Sequence, residues 1–509
     1  MSRLNVKDLL LAPHLDRDQV VSLLLPYGFK DPAKADRNLQ AIAEGPAERE
    51  LLAGILEQLL KSVSQAADPD QALTYLERFS RAAIHRLRLF SHLQDSPQGL
   101  EILTRTLGGS PYMAEILIRD PQHFYWVTEP QILNAKRRKR LIKYELLHTL
   151  SLLEDEGKQL DYLRFYKRRE MLHIGVRDLL RLCSVEDTLT ALSVLAEVLI
   201  SGAYWISDSV MRRQYQIPKN VFTSFTILAM GKLGGGELNF SSDVDLLYLY
   251  GSDREIAASM EASDYFRRLC LKITAALNDF TSEGYVFRVD LRLRPEGDAG
   301  YIAYSLDGFK RYYQSRLGNW ERLALLKAWP AAGNRELGRR FLEMVEPFVY
   351  ELPFDKESID DIRTMKRKMD EQMEARQQRD RNVKLGTGGI REIELIAQSI
   401  QVRYGSHMPR LRLRNTLGVL SALRDESLIS VEEFETLYSA YLFLRDVENK
   451  LQMVNDAQTH SLPRDHEELT ACARLLGYAE AEPFLHDYQR HTGKVHLIFE
   501  RVFSSTTLL

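Results

Sequence analysis

Two aspartates separated by one residue lie in the segment of this sequence that is best suited to chemistry. Asp243 and Asp245 begin an apolar run, DVDLLYLY, and a glycine-rich segment, GKLGGGE, precedes them. Because residues i and i+2 of a β-strand point to the same face, the two carboxylates should project side by side. Adjacent carboxylates repel each other unless a cation neutralises them, and Mg²⁺ prefers such oxygen ligands together with substrate phosphate. The pair therefore predicts a magnesium and phosphate site, although a polar strand edge beside a β-turn would give the same pattern.

A third aspartate lies in a second segment that alternates polar and apolar residues, RVDLRLR. As a strand, this segment would place four residues on one face: Arg288, Asp290, Arg292 and Arg294. Arginine side chains bind phosphate oxygens in bidentate pairs, so a carboxylate between arginines fits a metal and phosphate site. We expect Asp290 to join the first two aspartates, with Arg292 and Arg294 contacting phosphate. Arginines that only neutralise aspartates on a surface sheet are the alternative.

Three consecutive glycines are expected to form a tight turn before the aspartates. Gly234, Gly235 and Gly236 carry no side chain, so their backbone N–H groups could approach a phosphate closely. Ser241 and Ser242 would add hydroxyl donors. The segment is not a P-loop, because its Gly-Lys pair is followed by leucine. It is not a dinucleotide fingerprint either, because the glycine spacing differs and a strand follows it.

Three regions of different periodicity must position these residues. Residues 1–206 repeat apolar residues every three or four positions, which predicts helices, and the aperiodic segment SDSVMRRQYQIPKN marks their end. Residues 207–345 contain three short segments rich in β-branched and aromatic residues around a helical one, which predicts a small mixed sheet. Residues 346–509 are again helical. The predicted fold class is α+β and predominantly helical, with the sheet domain between an N-terminal helical region and a C-terminal helical bundle.

Composition narrows the class of protein. The 509 residues suffice for two or three domains, and a formal charge of -3 gives no general attraction to nucleic acid or to anionic membranes. The three cysteines are far apart, which argues against disulfides and structural zinc. Asp8 interrupts any signal-peptide core, and Glu197 interrupts the most apolar segment. The sequence therefore predicts a soluble, cytoplasmic protein that binds neither nucleic acid nor membrane.

The order of these motifs resembles a known family. Gly-Gly, then Ser-Asp-Val-Asp on a strand, then Asp290 on a later strand, is similar to the nucleotidyltransferase superfamily. GKLGGGELNFSSDVDL is close to a hallmark of the glutamine synthetase adenylyltransferase/adenylyl-removing enzymes. Further segments resemble that family between about residues 100 and 460: SPYMAEILIRDP, FYKRREMLHIGVRDLL, GYVFRVDLRLRPEG, NWERLALLKA, VKLGTGGIREIE and AYLFLRDVENKLQ. The resemblance implies a nucleotidyltransferase core in residues 207–345, with the three aspartates as catalytic Mg²⁺ ligands.

The resemblance covers one of the two halves that the family enzyme normally joins, because the chain has a single Ser-Asp-x-Asp motif. Asn239-Phe240 stands where the half that adds AMP tends to have Gly-Tyr, and Arg391 stands where that half lacks an arginine. Both features are similar to the half that removes AMP. The resemblance therefore implies phosphorolytic removal of AMP from a tyrosine of glutamine synthetase, which yields ADP and serves the regulation of nitrogen assimilation.

Four cations are assigned to phosphate groups by the same resemblance. Lys384 and Arg391 flank a glycine turn and are expected to hold the attacking inorganic phosphate, unless Arg391 pairs with an acid on its own helix. Arg322 and Lys327, in NWERLALLKA, are implied as contacts to the nucleotide phosphate.

Three other features are interpreted without a direct catalytic role. Trp320 is expected in the core. Trp329 stands where the family usually has arginine, which removes one cation from that position. The cluster YKRRE, with charged residues from Lys167 to Glu170, is expected to be a solvated helix face rather than a contact with the sheet domain.

Two alternatives to AMP removal stay open. One is ATP-dependent adenylylation of glutamine synthetase, which can use the same aspartates. The other is a regulatory module that binds nucleotide without catalysis, against which the intact set of three aspartates argues. A template-independent nucleic-acid polymerase is disfavoured by the acidic chain. The implied partners are glutamine synthetase, phosphate and ADP or ATP, with the PII signalling protein left open, and the implied cofactor is Mg²⁺.

Overall fold

The computed structural model describes residues 4–217, 224–252 and 260–504. Helices account for most of these residues, and the strands among them form one small mixed sheet. The predicted α+β, predominantly helical class is confirmed. The proline of the predicted first boundary segment, Pro218, lies outside the described residues.

Thirteen α-helices precede the sheet in the described part of the chain. Their bounds are α1 (Asp8–Leu11), α2 (Arg17–Leu24), α3 (Pro32–Ile42), α4 (Pro46–Ser64), α5 (Pro69–Ala82), α6 (Arg86–Asp95), α7 (Pro97–Gly109), α8 (Pro111–Arg119), α9 (Gln122–Thr128), α10 (Pro130–Leu133), α11 (Lys139–Leu152), α12 (Glu156–Leu179) and α13 (Val185–Gln214). Several begin at a proline that follows an Asp or Ser cap, as at Asp68-Pro69 and Ser96-Pro97. Proline fits the first helical position because its missing N–H has no partner there.

Helix α13 is long and apolar enough to cross a membrane by length and composition alone. However, 72% of its most apolar window is buried inside the protein, where the helix packs against α11, α12 and strands of the sheet. The helix is therefore the central core element of the N-terminal region. It ends at Gln214, so it continues past the boundary predicted at residue 206.

The sheet combines antiparallel and parallel pairs. Its strands are β1 (Phe225–Ala229), β2 (Val244–Tyr250), β3 (Val289–Asp290), β4 (Ala303–Ser305) and β5 (Trp329–Gly333). β1 lies between β2 and β5 and is antiparallel to both, whereas β2 is parallel to β3 and to β4. The small mixed sheet that the sequence predicts is present.

Eleven α-helices lie within and after the sheet in the described residues. They are α14 (Gly231–Gly235), α15 (Ala262–Asn278), α16 (Leu306–Arg316), α17 (Asn319–Leu325), α18 (Arg335–Tyr350), α19 (Lys356–Ala375), α20 (Ile390–Tyr404), α21 (Thr416–Asp425), α22 (Val431–Asn455), α23 (His466–Leu475) and α24 (Ala481–Ser504). The crossing helix predicted between the second and third strands is α15. The expected beginning of that helix, before residue 260, lies outside the described residues.

The two faces of the sheet belong to two apolar cores. Ile227 of β1 and Leu246 of β2 are buried with the N-terminal helices. Their neighbours Leu228 and Leu247 are buried with the helices that follow the sheet. This alternation follows from the two-residue period of a strand. Odd-numbered positions of β2 therefore face the C-terminal helices, and Asp245 is one of them.

Candidate active site

Strands β2 and β3 bring two of the predicted aspartates together. Asp245 and Asp290 are partners in the parallel β2–β3 register. Asp243 directly precedes β2, and its carboxylate is close enough to Asp245 to affect its ionisation. Thus three carboxylates that are up to 47 residues apart in sequence lie at one end of the sheet.

Two of the three aspartates are held by other side chains. Asp243 accepts hydrogen bonds from Arg288 Nε at 2.6 Å and from Gln458 Nε2 at 2.8 Å. Asp290 accepts from the backbone N–H of Arg292 at 2.8 Å and from its guanidinium. These bonds fix the orientation of both carboxylates before any ligand binds.

The third aspartate has no such support. Among the described residues, no side chain or backbone group donates a hydrogen bond to the Asp245 carboxylate. Burial, together with the carboxylates of Asp290 and Asp243, raises the pKa of Asp245 to about 6, against the opposing charge of Lys384. By contrast, although burial acts in the other direction, the bonds from Arg292 lower the pKa of Asp290. An unpartnered carboxylate beside two oriented ones is a suitable place for a cation.

The aspartates do not form a complete metal cage. In residues 4–217, 224–252 and 260–504, no group of three His, Cys, Asp or Glu side chains has the spacing of a finished metal site. Mg²⁺ commonly binds through one or two carboxylates and takes its remaining ligands from water and substrate phosphate. The donor set therefore fits Mg²⁺ in company with a phosphate.

Asp245 opens onto a cavity of about 250 Å³ between the sheet and the C-terminal helices. Its wall includes four cationic side chains, an aromatic ring and a glycine: Lys232, Lys327, Lys384, Arg391, Trp320 and Gly231. Gly231 lies directly against the carboxylate, because a Cβ there would be 2.4 Å from Asp245 Oδ2. A carboxylate facing cations across a small cavity can hold a metal-bound phosphate group.

Lys384 and Arg391 are two cations of this cavity that keep free hydrogen-bond donors. No ion pair or side-chain hydrogen bond holds the Lys384 ammonium among the described residues. Arg391, in the first turn of α20, is 34% exposed and places Nη1 3.3 Å from Glu394 Oε2. Its buried Nε has no hydrogen-bond partner. The pairing with an acid of its own helix therefore occurs, but it uses only part of the guanidinium.

The glycine turn between these two cations packs against protein. Gly388 has a φ of +67°, and a Cβ there would be 1.8 Å from the carbonyl oxygen of Thr492 in α24. Glycine is needed at this position so that the turn can contact that helix. The turn therefore fixes the start of α20, and with it Arg391.

Lys232 is a cavity residue that the sequence did not single out. Its ammonium lies 2.5 Å from Glu448 Oε1, and burial lowers its pKa to about 7 against the opposing effect of that carboxylate. Glu448 is fully buried in α22 and also accepts from Asn239 Nδ2 at 3.0 Å. Its position in the glycine-rich motif could have pointed to Lys232, but the sequence analysis used this residue only to show that the segment is not a P-loop.

The three glycines of the motif have a packing role rather than the predicted phosphate role. Residues Gly231–Gly235 form the short helix α14 instead of a tight turn. A Cβ on Gly234 would be 1.9 Å from the carbonyl oxygen of Lys327, and Gly235 lies close to the backbone of Arg414. Gly236, at a φ of +74°, ends the helix. The missing side chains of Gly234 and Gly235 thus allow close contact with the protein's own backbone rather than with a phosphate.

Ser241 and Ser242 shape the loop before β2. The backbone N–H of Ser241 donates to Gln452 Oε1 at 3.3 Å, and its hydroxyl oxygen accepts from Arg288 Nη2 at 3.1 Å. Ser242 Oγ accepts the N–H of Asn239 at 3.2 Å. Neither hydroxyl is placed as the predicted phosphate donor.

The predicted row of arginines along β3 does not form. The strand ends at Asp290, because the carboxylate of Asp290 accepts the N–H of Arg292 and so forms a turn. Arg292 stays exposed and pairs with Asp290, while Arg294 donates to the carbonyl oxygen of Leu291 at 2.9 Å. Arg288 and Arg292 instead pair with Asp243 and Asp290, as in the alternative in which arginines only neutralise aspartates.

Arg322 and Lys327 are likewise committed to the protein. Arg322 is buried and donates to the carbonyl oxygens of Val349, Leu352 and Pro353, which ties α17 to the end of α18. Lys327 lies 3.0 Å from Glu237 and 2.8 Å from Glu394. Although burial opposes it, these two carboxylates raise the pKa of Lys327. Arg322 is therefore not the predicted phosphate contact, and Lys327 forms a fully paired part of the cavity wall.

Two further predictions from the sequence are wrong. Trp320 is 47% exposed and lines the cavity instead of lying in the core. The cluster from Lys167 to Glu170 is not a solvated face. Lys167 is buried 4.7 Å from the ring centroid of Tyr285, and Arg168 pairs with Glu283. Helix α12 therefore supports the loop that leads to β3.

Comparison with known proteins identifies the family of the domain that contains the sheet. Residues 100–344 match the model of the glutamate-ammonia ligase adenylyltransferase family. The chain carries a domain of that family. Residues 363–503 match the model of GlnD PII-uridylyltransferase. The resemblance predicted from the motifs is confirmed.

Curated relatives carry the same family name. The proteins of Thioalkalivibrio sulfidiphilus, Nitrosococcus oceani and Xanthomonas axonopodis pv. citri are each described as a bifunctional glutamine synthetase adenylyltransferase/adenylyl-removing enzyme. They are 36%, 35% and 42% identical to this chain over 80%, 80% and 62% of its length. The matched parts are 42%, 42% and 34% of the relatives, so the chain spans less than half the length of these proteins.

The cavity is assembled from both matched regions. The adenylyltransferase domain supplies Asp245, Lys232 and Trp320, whereas the region similar to GlnD PII-uridylyltransferase supplies Lys384 and Arg391. Both regions are therefore needed for one site.

Proposed function

We propose that this chain removes AMP from an adenylylated tyrosine of glutamine synthetase by phosphorolysis. An oxygen of inorganic phosphate attacks the α-phosphorus, the bond from phosphorus to the tyrosine oxygen breaks, and the products are ADP and the tyrosine phenolate, which takes up a proton. The curated relatives support glutamine synthetase as the protein substrate, since their name includes both addition and removal of AMP.

The observation that carries this proposal is the pair of cations facing Asp245. Phosphorolysis needs a site for inorganic phosphate, as a separate substrate, beside the α-phosphate, whereas in adenylylation the β- and γ-phosphates of ATP would occupy that position. Lys384 has no ion pair among the described residues, and Arg391 keeps an unpartnered Nε. A guanidinium and an ammonium on one side of a small cavity can hold a phosphate dianion in a fixed position.

The three aspartates are proposed to hold Mg²⁺. When bound there, Mg²⁺ would polarise the α-phosphate and stabilise the departing phenolate, whose solution pKa is about 10. Arg288 and Gln458 keep Asp243 in place, and the turn at Arg292 keeps Asp290 in place. Asp245 supplies the carboxylate that has no other partner.

Trp320 is proposed to receive the adenine ring. It is the exposed aromatic side chain of the cavity wall, and a flat indole stacks on a purine at little conformational cost. Of the segment NWERLALLKA, Trp320 rather than Arg322 is thus the residue proposed to contact the nucleotide.

The direct test combines the chain with adenylylated glutamine synthetase, Mg²⁺ and radiolabelled phosphate. We expect label in the β-phosphate of ADP, because the attacking phosphate becomes the terminal phosphate of the product. Incorporation of AMP from ATP into unmodified glutamine synthetase, at a higher rate than ADP release, would establish the adding reaction instead. No turnover in either direction would leave a nucleotide-binding regulatory module.

The PII signalling protein is proposed as a second partner. The support is the match of residues 363–503 to GlnD PII-uridylyltransferase, whose name includes that protein. A pull-down of PII with the intact chain tests this partner, and the absence of a complex in both modification states of PII would remove it.

A further inference from the structure

A second cavity, of about 420 Å³, lies between helix α11, strand β5 and helix α18. It shares no lining residue with the cavity at Asp245. The close contact of α18 with β5 depends on Gly338, where a Cβ would be 2.5 Å from Pro330 Cγ. This contact brings the start of α18 over the edge of the sheet.

The charged residues that line this cavity are all cationic. They are Lys139 and Lys143 of α11 and Arg335 and Arg339 of α18, and the wall contains no acidic side chain. The other lining residues are polar or apolar groups of β1, β5 and α18, among them Trp329 and Leu342. Four like charges around one cavity contrast with the formal charge of -3 of the whole chain.

Acidic neighbours neutralise only two of these four cations. Lys139 pairs with Glu197, and Arg339 pairs with Glu336 and Glu343, all of which lie outside the cavity wall. In the described part of the chain, neither Lys143 nor Arg335 has an ion pair or a side-chain hydrogen bond. Two cations without a direct ionic partner among the described residues therefore face the same space.

The position of Arg335 adds to the positive potential. Arg335 is the first residue of α18, a helix of 16 residues, and a helix N-terminus attracts anions. A cation is unfavourable there unless an anion accompanies it. Burial lowers the pKa of Lys143, and the nearby charges of Lys139 and Arg335 lower it further, while Glu197 opposes them.

The uncharged part of the wall suits an aromatic ring. Pro330, Ala331, Ala332 and Leu342 provide apolar surface, and Trp329 lies at the end of β5 with the guanidinium of Arg414 4.0 Å from its ring centroid. The size is in the range of sites for small organic ligands, which is about 300–1,000 Å³. Cations on one side and apolar surface on the other match a molecule with a polyanionic and a flat apolar part.

We propose that this cavity binds a nucleoside polyphosphate, with its phosphates on Lys143 and Arg335 and its base on the apolar wall of β5. This site is separate from the proposed catalytic site and needs no metal ion, because protein cations already provide the positive charge. It also gives a role to Trp329, which lines the cavity.

The test uses ATP as the probe and the full chain in the presence of EDTA. Without a metal, the three aspartates repel a nucleotide, whereas the second cavity still attracts it. Isothermal titration calorimetry should therefore give one ATP per chain, with an affinity that falls as the salt concentration rises. Absence of saturable binding in EDTA overturns the proposal.

Variants that remove cationic side chains show where ATP binds. The double variant Lys143→Gln/Arg335→Gln should weaken ATP binding by at least about tenfold, because two charge-assisted contacts are lost. Arg340→Gln changes an exposed arginine of α18 that lies outside the cavity, and this variant should bind ATP as tightly as the parent protein. Circular dichroism confirms that the variants fold. Equal affinity of the double variant and the parent overturns the site.

Two competing ligands test the class of molecule. Inorganic triphosphate should bind more weakly than ATP, because it cannot use the apolar wall. A decaglutamate peptide should not displace ATP at equal concentration. If triphosphate binds as tightly as ATP, or if the peptide displaces it, the cavity recognises anions in general or an acidic protein segment, and the nucleotide assignment is wrong.

Discussion

At the scale of single residues, the ionisation of Asp245 distinguishes it from the two aspartates beside it. Arg288 and Arg292 compensate Asp243 and Asp290, whereas Asp245 is partly buried without a hydrogen-bond donor. The raised pKa of Asp245 means that its charge destabilises the metal-free fold. A site that is unfavourable until a cation arrives is a common feature of functional centres.

Asp245→Asn should therefore stabilise the metal-free protein while abolishing turnover. The folded pKa is about 6, and the unfolded value is about 4. The charged form thus costs stability above the folded pKa, and this cost disappears as the pH falls below the unfolded pKa. In EDTA near pH 8 we expect the variant to gain about 1–3 kcal/mol in unfolding free energy. The gain should vanish near pH 4.

Asp298→Asn provides the matched control for chemical unfolding with EDTA, because Asp298 is an exposed carboxylate of the same region. The unfolding free energy of Asp298→Asn should differ little from that of the parent protein at either pH. A less stable Asp245→Asn variant at every pH would show that the carboxylate is stabilised by the protein itself.

Arg391→Ala should raise the phosphate concentration that gives half the maximal rate of ADP release. The loss of one charge-assisted contact corresponds to roughly 1.5–3 kcal/mol, or about tenfold to a hundredfold. The affinity for adenylylated glutamine synthetase should change less. Arg403→Ala, in the last turn of the same helix, is the control. An unchanged phosphate dependence would exclude Arg391 from the phosphate site.

Trp320→Ala should weaken ADP binding in the presence of Mg²⁺, and Trp320→Phe should restore most of the affinity. An aromatic stacking contact contributes about 0.5–1.5 kcal/mol, so we expect a loss of about twofold to tenfold. Fluorescence titration with ADP measures it. Equal weakening by alanine and phenylalanine would argue against stacking.

At the scale of elements, α12 connects the N-terminal helices to the strand that carries Asp290. Lys167 packs on the rings of Tyr285 and Phe287, and Arg168 pairs with Glu283 in the loop before β3. Since β3 has only two residues, its own ladder cannot fix its position. The support from α12 therefore helps to place Asp290.

A double-mutant cycle of Arg168→Ala and Glu283→Ala tests this support. The two side chains are partly buried and in contact, so we expect a coupling energy of about 0.5–3 kcal/mol in unfolding experiments. Each single variant should also lower the maximal rate. The exposed pair Arg78 and Glu115 gives the reference cycle, with a smaller coupling. Additive effects at Arg168 and Glu283 would contradict the supporting role.

At the scale of the whole molecule, the site depends on contacts between distant parts of the chain. Lys232 and its partner Glu448 are 216 residues apart, and Glu448 is fully buried. Arg445 and His460 also approach Glu448. This buried network fastens the glycine-rich motif to the C-terminal helices, so both matched regions form one structural unit around the cavity.

Glu448→Ala should therefore be strongly destabilising, because it leaves buried cations without their carboxylate. Breaking a buried pair in this way costs about 3–5 kcal/mol. Denaturant unfolding measures the change, and Glu432→Ala, at the exposed start of the same helix, is the control. A loss below about 1 kcal/mol would mean that water or another group replaces Glu448.

The sequence by itself determined the features that depend on local order. The alternation in DVDLLYLY predicted that Asp243 and Asp245 lie side by side, and the repeated apolar positions indicated helices on both sides of a small sheet. Family motifs identified the adenylyltransferase domain. Each of these signals lies within a short segment, where spacing and side-chain type are sufficient.

Only the tertiary structure decided which polar side chains remain available to a ligand. Lys327 and Arg391 both looked like phosphate contacts, yet Lys327 is neutralised by Glu237 and Glu394, whereas Arg391 keeps a free donor. Trp320 looked like a core residue and lines the cavity. A cation or a ring has the same local signature in either role, because its partner comes from a distant segment that only folding brings near.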